Sequence, residues 1–319
     1  MLIAFFDFES RFSLITPTCK FQNSNKQGLT PISPLANLHA VDYVPTVWQA
    51  TADIVALRRL VAYYCSIKKQ KVLVKNRVHG MLQRNLVSDI PFYNIFTQKG
   101  RRHLLKVELP PDEKVQVSEE LELLAVIEKS MLAIMKRIAV RALYDTDIRR
   151  LLTITGVNMI TAVTIKSAIG DIKRFPYPKK LVGYFGLGTA IYQSADNCYY
   201  GRISKRGNKH VRSALVQSAQ VCVKFPSPLR AFFQRLYQKK GRNKSIIAVA
   251  SKLTRIIWHM LTNSEDYRYE NKALTKLKML KLNSLAGVVS KRAKRITDVG
   301  CGKKAEKEYV KTIGLIRKR

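Results

Sequence analysis

Acid is what this chain has least of for its size. Only 22 of its 319 residues are Asp or Glu, against 57 Lys or Arg, a formal charge of +35. Self-repulsion on that scale opposes compaction unless a polyanion neutralises it, which points to nucleic acid as the partner and away from an acidic small-molecule substrate. Long apolar runs are missing too. No stretch approaches the roughly 18 uncharged apolar residues that span a bilayer, so a transmembrane protein is excluded. Charge alone leaves a membrane-surface protein open, ranked far behind because the basic residues sit among segments with their own apolar core. Cysteine is sparse: Cys19, Cys65, Cys198, Cys222 and Cys301 are odd in number, scattered and without a CxxC pair. That excludes a disulfide framework and a zinc ribbon and fits a reducing cytoplasm. The histidines (His39, His79, His103, His210, His259) show no ligand spacing. Met1 to Phe6 is apolar but lacks a basic n-region and meets Asp7 and Glu9 at once, so it is not read as a signal peptide.

What is present is a 46% hydrophobic chain, enough for globular folding, with a length that suggests about two domains. Residues 1 to 48 are poorly patterned, rich in Ser, Thr, Asn and Pro after Ser13. Residues 49 to 150 read as a helical linker. Ile54, Leu57, Val61, Tyr64, Ile67, Val74, Val78 and Leu82 recur every three or four positions with Lys and Arg between them, and predict a long basic amphipathic helix. A second helix is expected to open at Ser118 and to run through Leu121, Leu124, Ile127, Met131, Ile134 and Ile138. The two form either a helical hairpin or coiled coil, or two ordinary core-packed helices. Residues 151 to 267 predict a small helical domain with one β-hairpin, spanning Ile191 to Lys205 around Asp196-Asn197. The remainder, 268 to 319, holds 16 Lys/Arg and 4 acids and reads as a basic tail. The fold class expected is mainly α.

Two constellations could carry chemistry. Around Thr153-Ile154-Thr155-Gly156-Val157-Asn158 a Gly-bearing turn precedes a small-residue helix, as in a helix-hairpin-helix that turns backbone amides at Gly156 and Asn158 toward a phosphate. A plain glycine turn between packed helices fits the same residues. The second runs from Tyr192 to Arg212 and sets Ser194, Arg202, Ser204, Lys205, Arg206, Lys209 and Arg212 within one short span suited to phosphate handling. No acid occurs between Asp196 and Glu265, while residues 201 to 260 carry 14 Lys/Arg. A surface without counter-charges is costly unless an anion lies on it.

Residues from about Ile154 to Tyr267 resemble the C-terminal domain of the insertion-sequence transposases of the IS-one-ten type, the bridge-RNA-guided DNA recombinases. The likeness rests on Ile154-Thr155-Gly156-Val157, Ile169-Gly170-Asp171-Ile172-Lys173-Arg174-Phe175 and Leu181-Val182-Gly183-Tyr184-Phe185-Gly186-Leu187. It continues through Tyr192-Gln193-Ser194 and Gly201-Arg202-Ile203-Ser204-Lys205-Arg206-Gly207-Asn208. Val44-Pro45-Thr46-Val47-Trp48 and the helix through Val74-Lys75-Asn76-Arg77-Val78-His79 are similar to the family's coiled-coil linker.

The resemblance implies that Ser194 attacks a DNA phosphodiester and is transiently joined to it. Arg202, Lys205 and Arg206 are the nearest cations in sequence for the developing charge, and Ser204 is the local competitor for nucleophile. Ala195 stands where the family often has Gly. Complete members begin with a RuvC-like domain whose Asp, Glu and Asp-x-x-Asp carboxylates gather divalent ions, so the family's cofactor is Mg²⁺. Residues 1 to 50 here offer only Asp7, Glu9 and Asp42, and Thr30-Pro31-Ile32-Ser33-Pro34 occupies the Asp-x-x-Asp place. The chain therefore reads as a truncated or decayed transposase that retains no metal site and depends on an intact copy. Its expected partners are DNA, a structured guide RNA, and a homo-oligomer or a hetero-oligomer with intact transposase. The alternative is a non-catalytic protein that grips phosphate backbone.

Overall fold

The computed structural model describes residues 32–40, 43, 47–87, 91–194 and 197–288. The chain divides into two units, 1–50 and 51–319. In the first, helix α1 (Ile32–Ala40) ends with the Tyr43 amide donating to the Leu38 carbonyl at 2.9 Å. The Leu2–Phe8 stretch, Asp7, Glu9 and Asp42 lie outside the described residues.

The second unit is mainly α, as its periodicities predict. Helix α2 (Ala52–Arg84) buries Leu57, Val61, Tyr64, Ile67, Val74, Val78, Met81 and Leu82, a stripe at three- and four-residue spacing. A short helix α3 (Gln98–Leu104), capped by the Thr97 hydroxyl, leads to α4 (Pro111–Tyr144). Helix α4 starts seven residues before the expected Ser118. Pro111 occupies the first helical position, where its missing N–H costs nothing, and Asp112 and Glu113 sit on the positive end of the helix dipole. Three ion pairs fix α2 and α4 antiparallel: Lys71 to Glu128 at 2.7 Å, Arg77 to Glu120 at 2.6 Å and Arg84 to Glu113 at 3.3 Å. As one number rises the other falls, so the hairpin reading stands.

Helix α5 (Thr146–Thr153) is capped by Asp145, whose carboxylate accepts from the Asp147 and Ile148 amides. A turn at 154–158 leads to α6 (Met159–Ile169), buried along most of its length. Two of the hydroxyls it takes into the core are satisfied within the helix: Thr164 donates to the Ile160 carbonyl and Ser167 to the Thr164 carbonyl. Helix α2 packs on α6, and Arg58 donates to the Ser167 and Ala168 carbonyls at 2.7 and 3.2 Å, at the carboxyl end of α6. The linker helices and the small domain therefore share one core, with no gap in packing near residue 150.

A corner at Ile172–Arg174 and helix α7 (Pro178–Tyr184) precede the two-stranded antiparallel hairpin, β1 (Thr189–Ser194) and β2 (Asn197–Ile203). Helices α8 (Lys209–Cys222), α9 (Pro228–Lys240) and α10 (Arg242–Asn263) follow. Helix α10 packs against α5, α7, α8 and α9 and anchors the corner by donating from Trp258 Nε1 to the Phe175 carbonyl at 2.8 Å.

Lys272–Leu285, which the sequence assigns to a basic tail, is instead helix α11, packed on α4 and α5. Leu282 is fully buried, and Leu274, Met279 and Leu285 are half-buried at helical spacing, a stripe masked in the sequence by the lysines between them. Lys278 reaches into the domain and donates to the Leu152 and Ile154 carbonyls at 2.7 and 2.6 Å. Residues 289–319 lie outside the described residues.

Candidate functional site

The hairpin register is Ser194 opposite Asn197, Gln193 opposite Cys198, Tyr192 opposite Tyr199 and Ile191 opposite Tyr200, with an irregularity between Thr189 and Ile191. Ser194 therefore closes the strand pair at the tip. The base is held where the Gly201 to Asn208 motif leaves β2. There the Ser204 amide donates to the Gly188 carbonyl at 2.8 Å, and Lys205 turns left-handed, φ 53°. Gly186 and Gly207 let this turn lie directly on the end of α7. A Cβ on Gly186 would stand 2.2 Å from the Arg206 carbonyl, and one on Gly207 would stand 2.1 Å from the Tyr184 carbonyl. Asn208 then caps α8 by accepting from the His210 and Val211 amides.

Ser204, Lys205, Arg206, Lys209 and Arg212 are gathered around this base, with exposed Arg202 on the last turn of strand before it. Arg212 serves as a brace, one guanidinium nitrogen donating to the Phe185 carbonyl at 3.3 Å and the Lys205 carbonyl at 3.0 Å. Ser194 is not among them. At about 3.3 Å per residue, the five steps from Thr189 put it roughly 17 Å along the strand from the base. Sequence neighbourhood places Arg202, Lys205 and Arg206 as its supporting cations; the strands carry the serine away from Arg202 near the end of β2 and from the turn that holds Lys205 and Arg206.

The predicted helix-hairpin-helix residues lie beside α8, the helix that begins at the hairpin base. Gly156 is required by close approach: a Cβ there would meet the Ser218 carbonyl at 2.3 Å and Cys222 Sγ at 2.7 Å. Its amide is directed at Cys222 Sγ, and burial nevertheless pushes that thiol up to about 11. Asn158 is exposed and caps α6, accepting from the Thr161 amide at 2.9 Å.

Asn158 also borders a groove of about 750 Å³ between α2, the start of α6, α8 and α11. Its cationic groups are Lys68, Lys69, Lys278 and Lys281, the His210 imidazole joins them, no carboxylate lines it, and Val72, Leu73 and Leu282 contribute apolar wall. The His210 imidazole is held below its ordinary value by burial and then by Lys209 and Lys69. Lys278 is lowered to about 8 by burial. These basic groups from α2 and α11 are sequence-distant from the predicted site, and only folding brings them to the amino end of α6. Among the described residues no three of His, Cys, Asp or Glu converge on a metal-sized site.

Residues 148–234 match the family described as "Transposase IS116/IS110/IS902 family". That stretch runs from α5 into α9 and encloses the turn at Gly156, the hairpin and its base. That stretch of the chain is similar to the transposase domain of the IS-one-ten type. Over 128 residues the chain is 30% identical to "Transposase for insertion sequence element IS1111A" of Coxiella burnetii, covering 39% of this chain and 35% of that protein. Over 268 residues it is 22% identical to "Probable family 20 transposase" of Pseudomonas aeruginosa, covering 80% and 76%. The "Pilin gene-inverting protein" of Moraxella bovis is 31% identical over 121 residues, 37% of each chain. The match thus spans about a third of the length of the Coxiella and Moraxella relatives and three quarters of the Pseudomonas one. The matched stretch is built into one compact unit with the α2–α4 hairpin and α11, and no described helix is long and apolar enough to cross a membrane.

Proposed function

We propose that this chain acts in DNA transposition, with Ser194 as the nucleophile that attacks a DNA phosphodiester. A bond forms between the serine oxygen and phosphorus as one bridging P–O bond breaks. The serine loses its proton, the leaving strand oxygen gains one, and the phosphoester held on the protein keeps the strand ready for rejoining.

The observation that carries the reading is the position of Ser194 at the tip of a hairpin seated on a cationic turn within the transposase domain. The distance of about 17 Å from that turn gives the site its second property: the charge developing on phosphorus is met by groups that this transposase domain does not place at the tip. A second chain, with any ions that it holds, supplies them. The described residues build no site that fits Mg²⁺, so no step is routed through such an ion in this chain. The basic turn and the groove beside Asn158 hold nucleic acid backbone, of DNA or of a structured guide RNA, by counter-charge.

The test mixes the purified chain with a labelled junction made from the DNA flanking its coding sequence, in Mg²⁺. The chain alone is expected to bind without a covalent adduct. An adduct formed by the chain alone and lost in Ser194→Ala would overturn the shared-site part of the proposal and keep the nucleophile. Placement of the basic groups at the hairpin base and groove rather than at the serine favours one other reading, a non-catalytic backbone-binding protein. It predicts a steep salt dependence untouched by Ser194→Ala and no cleavage in any mixture.

A further inference from the structure

We propose that Tyr192 and Tyr199 form a stacking platform for an unpaired nucleobase beside the strand that the hairpin tip engages. This rests on the reading of the hairpin as the element that meets DNA, and it deepens that reading by naming the form of the substrate: a strand unstacked at the reacting step, not a closed duplex.

The two tyrosines are direct cross-strand partners, and positions 192 and 194 fall on one face of β1 because successive residues alternate. The two residues are 64% and 69% exposed, with ring centroids 6.4 Å apart and planes inclined by 35°. Large aromatics on a hairpin ordinarily stabilise it by packing against a core, and a lone two-stranded hairpin is marginal in water. Among the described residues no helix packs substantially on either strand, and Ile191, on the other face, is also exposed. The tyrosines are therefore presented rather than buried.

Gly201 shows how. It lies diagonally from Tyr192 on the same face, and a Cβ there would stand 3.0 Å from the Tyr192 ring. The ring rests on bare backbone with its outer surface open, an arrangement any larger residue at 201 would tilt away.

Charge identifies the occupant. The hairpin grows from a turn carrying Arg202, Lys205 and Arg206, and no acid follows Asp196 until Glu265. Exposed aromatic rings above a cationic backbone track are the means by which proteins hold single-stranded nucleic acid, each stacked base contributing about 1–3 kcal/mol. A base inside a duplex has both faces covered by its neighbours, so the rings can engage only one that has left the stack.

The experiment reads binding, not catalysis, on the full chain carrying Ser194→Ala. Affinities are measured for a labelled single-stranded oligonucleotide and for a duplex of equal length at one salt concentration. Tyr192→Leu and Tyr199→Leu are each expected to weaken single-strand binding about tenfold or more and to leave duplex binding within about twofold. Tyr192→Phe and Tyr199→Phe, which keep the ring, are expected to bind as the parent does. Retained duplex binding shows that the Leu variants are folded. The proposal is overturned if the Leu variants bind single strands normally, if they lose single strand and duplex alike, or if the Phe variants fail as the Leu variants do. Ring-dependent self-association with no effect on nucleic acid would also overturn it, since a second copy would then be the occupant. A chain that passes this test yet never forms a serine adduct retires the nucleophile and keeps the platform.

Discussion

At the scale of single residues, several positions have roles fixed by what lies beside them. Gly156 is one. The neighbouring Ser218 carbonyl would stand 2.3 Å from an added methyl, so Gly156→Ala is expected to destabilise the domain by about 1–3 kcal/mol. Thermal unfolding measures this, and Cys222→Ala is not expected to rescue it, because the nearer obstacle is backbone. Lys278 is another. Burial lowers it to about 8 from an ordinary value of 10.5, so between those values the unfolded chain binds more protons than the folded one. Stability then rises with pH through that window. Cys222, raised from 9 to about 11, acts the opposite way from pH 9 upward, because the folded thiol keeps a proton that the unfolded one loses. The clean interval is therefore pH 8 to 9, where denaturant unfolding should show stability rising and Lys278→Met should remove the rise.

At the scale of elements, the hairpin base depends on one side chain from the next helix. Arg212 ties the Phe185 and Lys205 carbonyls together, so Arg212→Ala should loosen the hairpin at a cost of about 1–3 kcal/mol and raise hydrogen exchange in β1 and β2 ahead of the rest of the domain. Helix α2, the α2–α4 hairpin and the β-hairpin are all legible from the sequence because their signals are local: period-three-to-four apolar stripes, and an alternating run broken by Asp196-Asn197. The start of α4 is not, because Pro110-Pro111 reads as a break as readily as a helix start, and Asp112-Glu113 decides it only once the helix is known. Helix α11 is hidden by its lysines, one of which, Lys278, turns inward to cap carbonyls of a segment over 120 residues away. The separation of Ser194 from Arg202, Lys205 and Arg206 is illegible for a related reason. Twelve or fewer positions in sequence say nothing about whether the chain between them is folded back or extended, and here it is extended. The groove at Asn158 is out of reach altogether, being assembled from α2, α8 and α11.

At the scale of the whole molecule, the described residues gather positive charge at two places: the turn at the hairpin base and the groove lined by Lys68, Lys69, Lys278 and Lys281. Binding to DNA should weaken steeply with salt, and Lys68→Ala with Lys69→Ala should reduce the slope of log K against log[salt] by about 1 for each phosphate that is no longer neutralised. Ser194→Ala should leave that slope unchanged, which separates holding from chemistry.

In the proposed reading, a serine at the end of β1 with cations gathered at the hairpin base makes this chain the donor of the nucleophile and another chain the donor of the charge stabilisation. The direct measurement mixes the protein, in Mg²⁺, with a related transposase whose own matching serine is replaced by alanine. The labelled junction is then followed by denaturing electrophoresis, where the sizes of the two chains tell which one carries the label. The expected result is label on this chain in the mixture only, abolished by Ser194→Ala. Label that survives Ser194→Ala, or no label on this chain in any mixture that binds the junction, would contradict the claim.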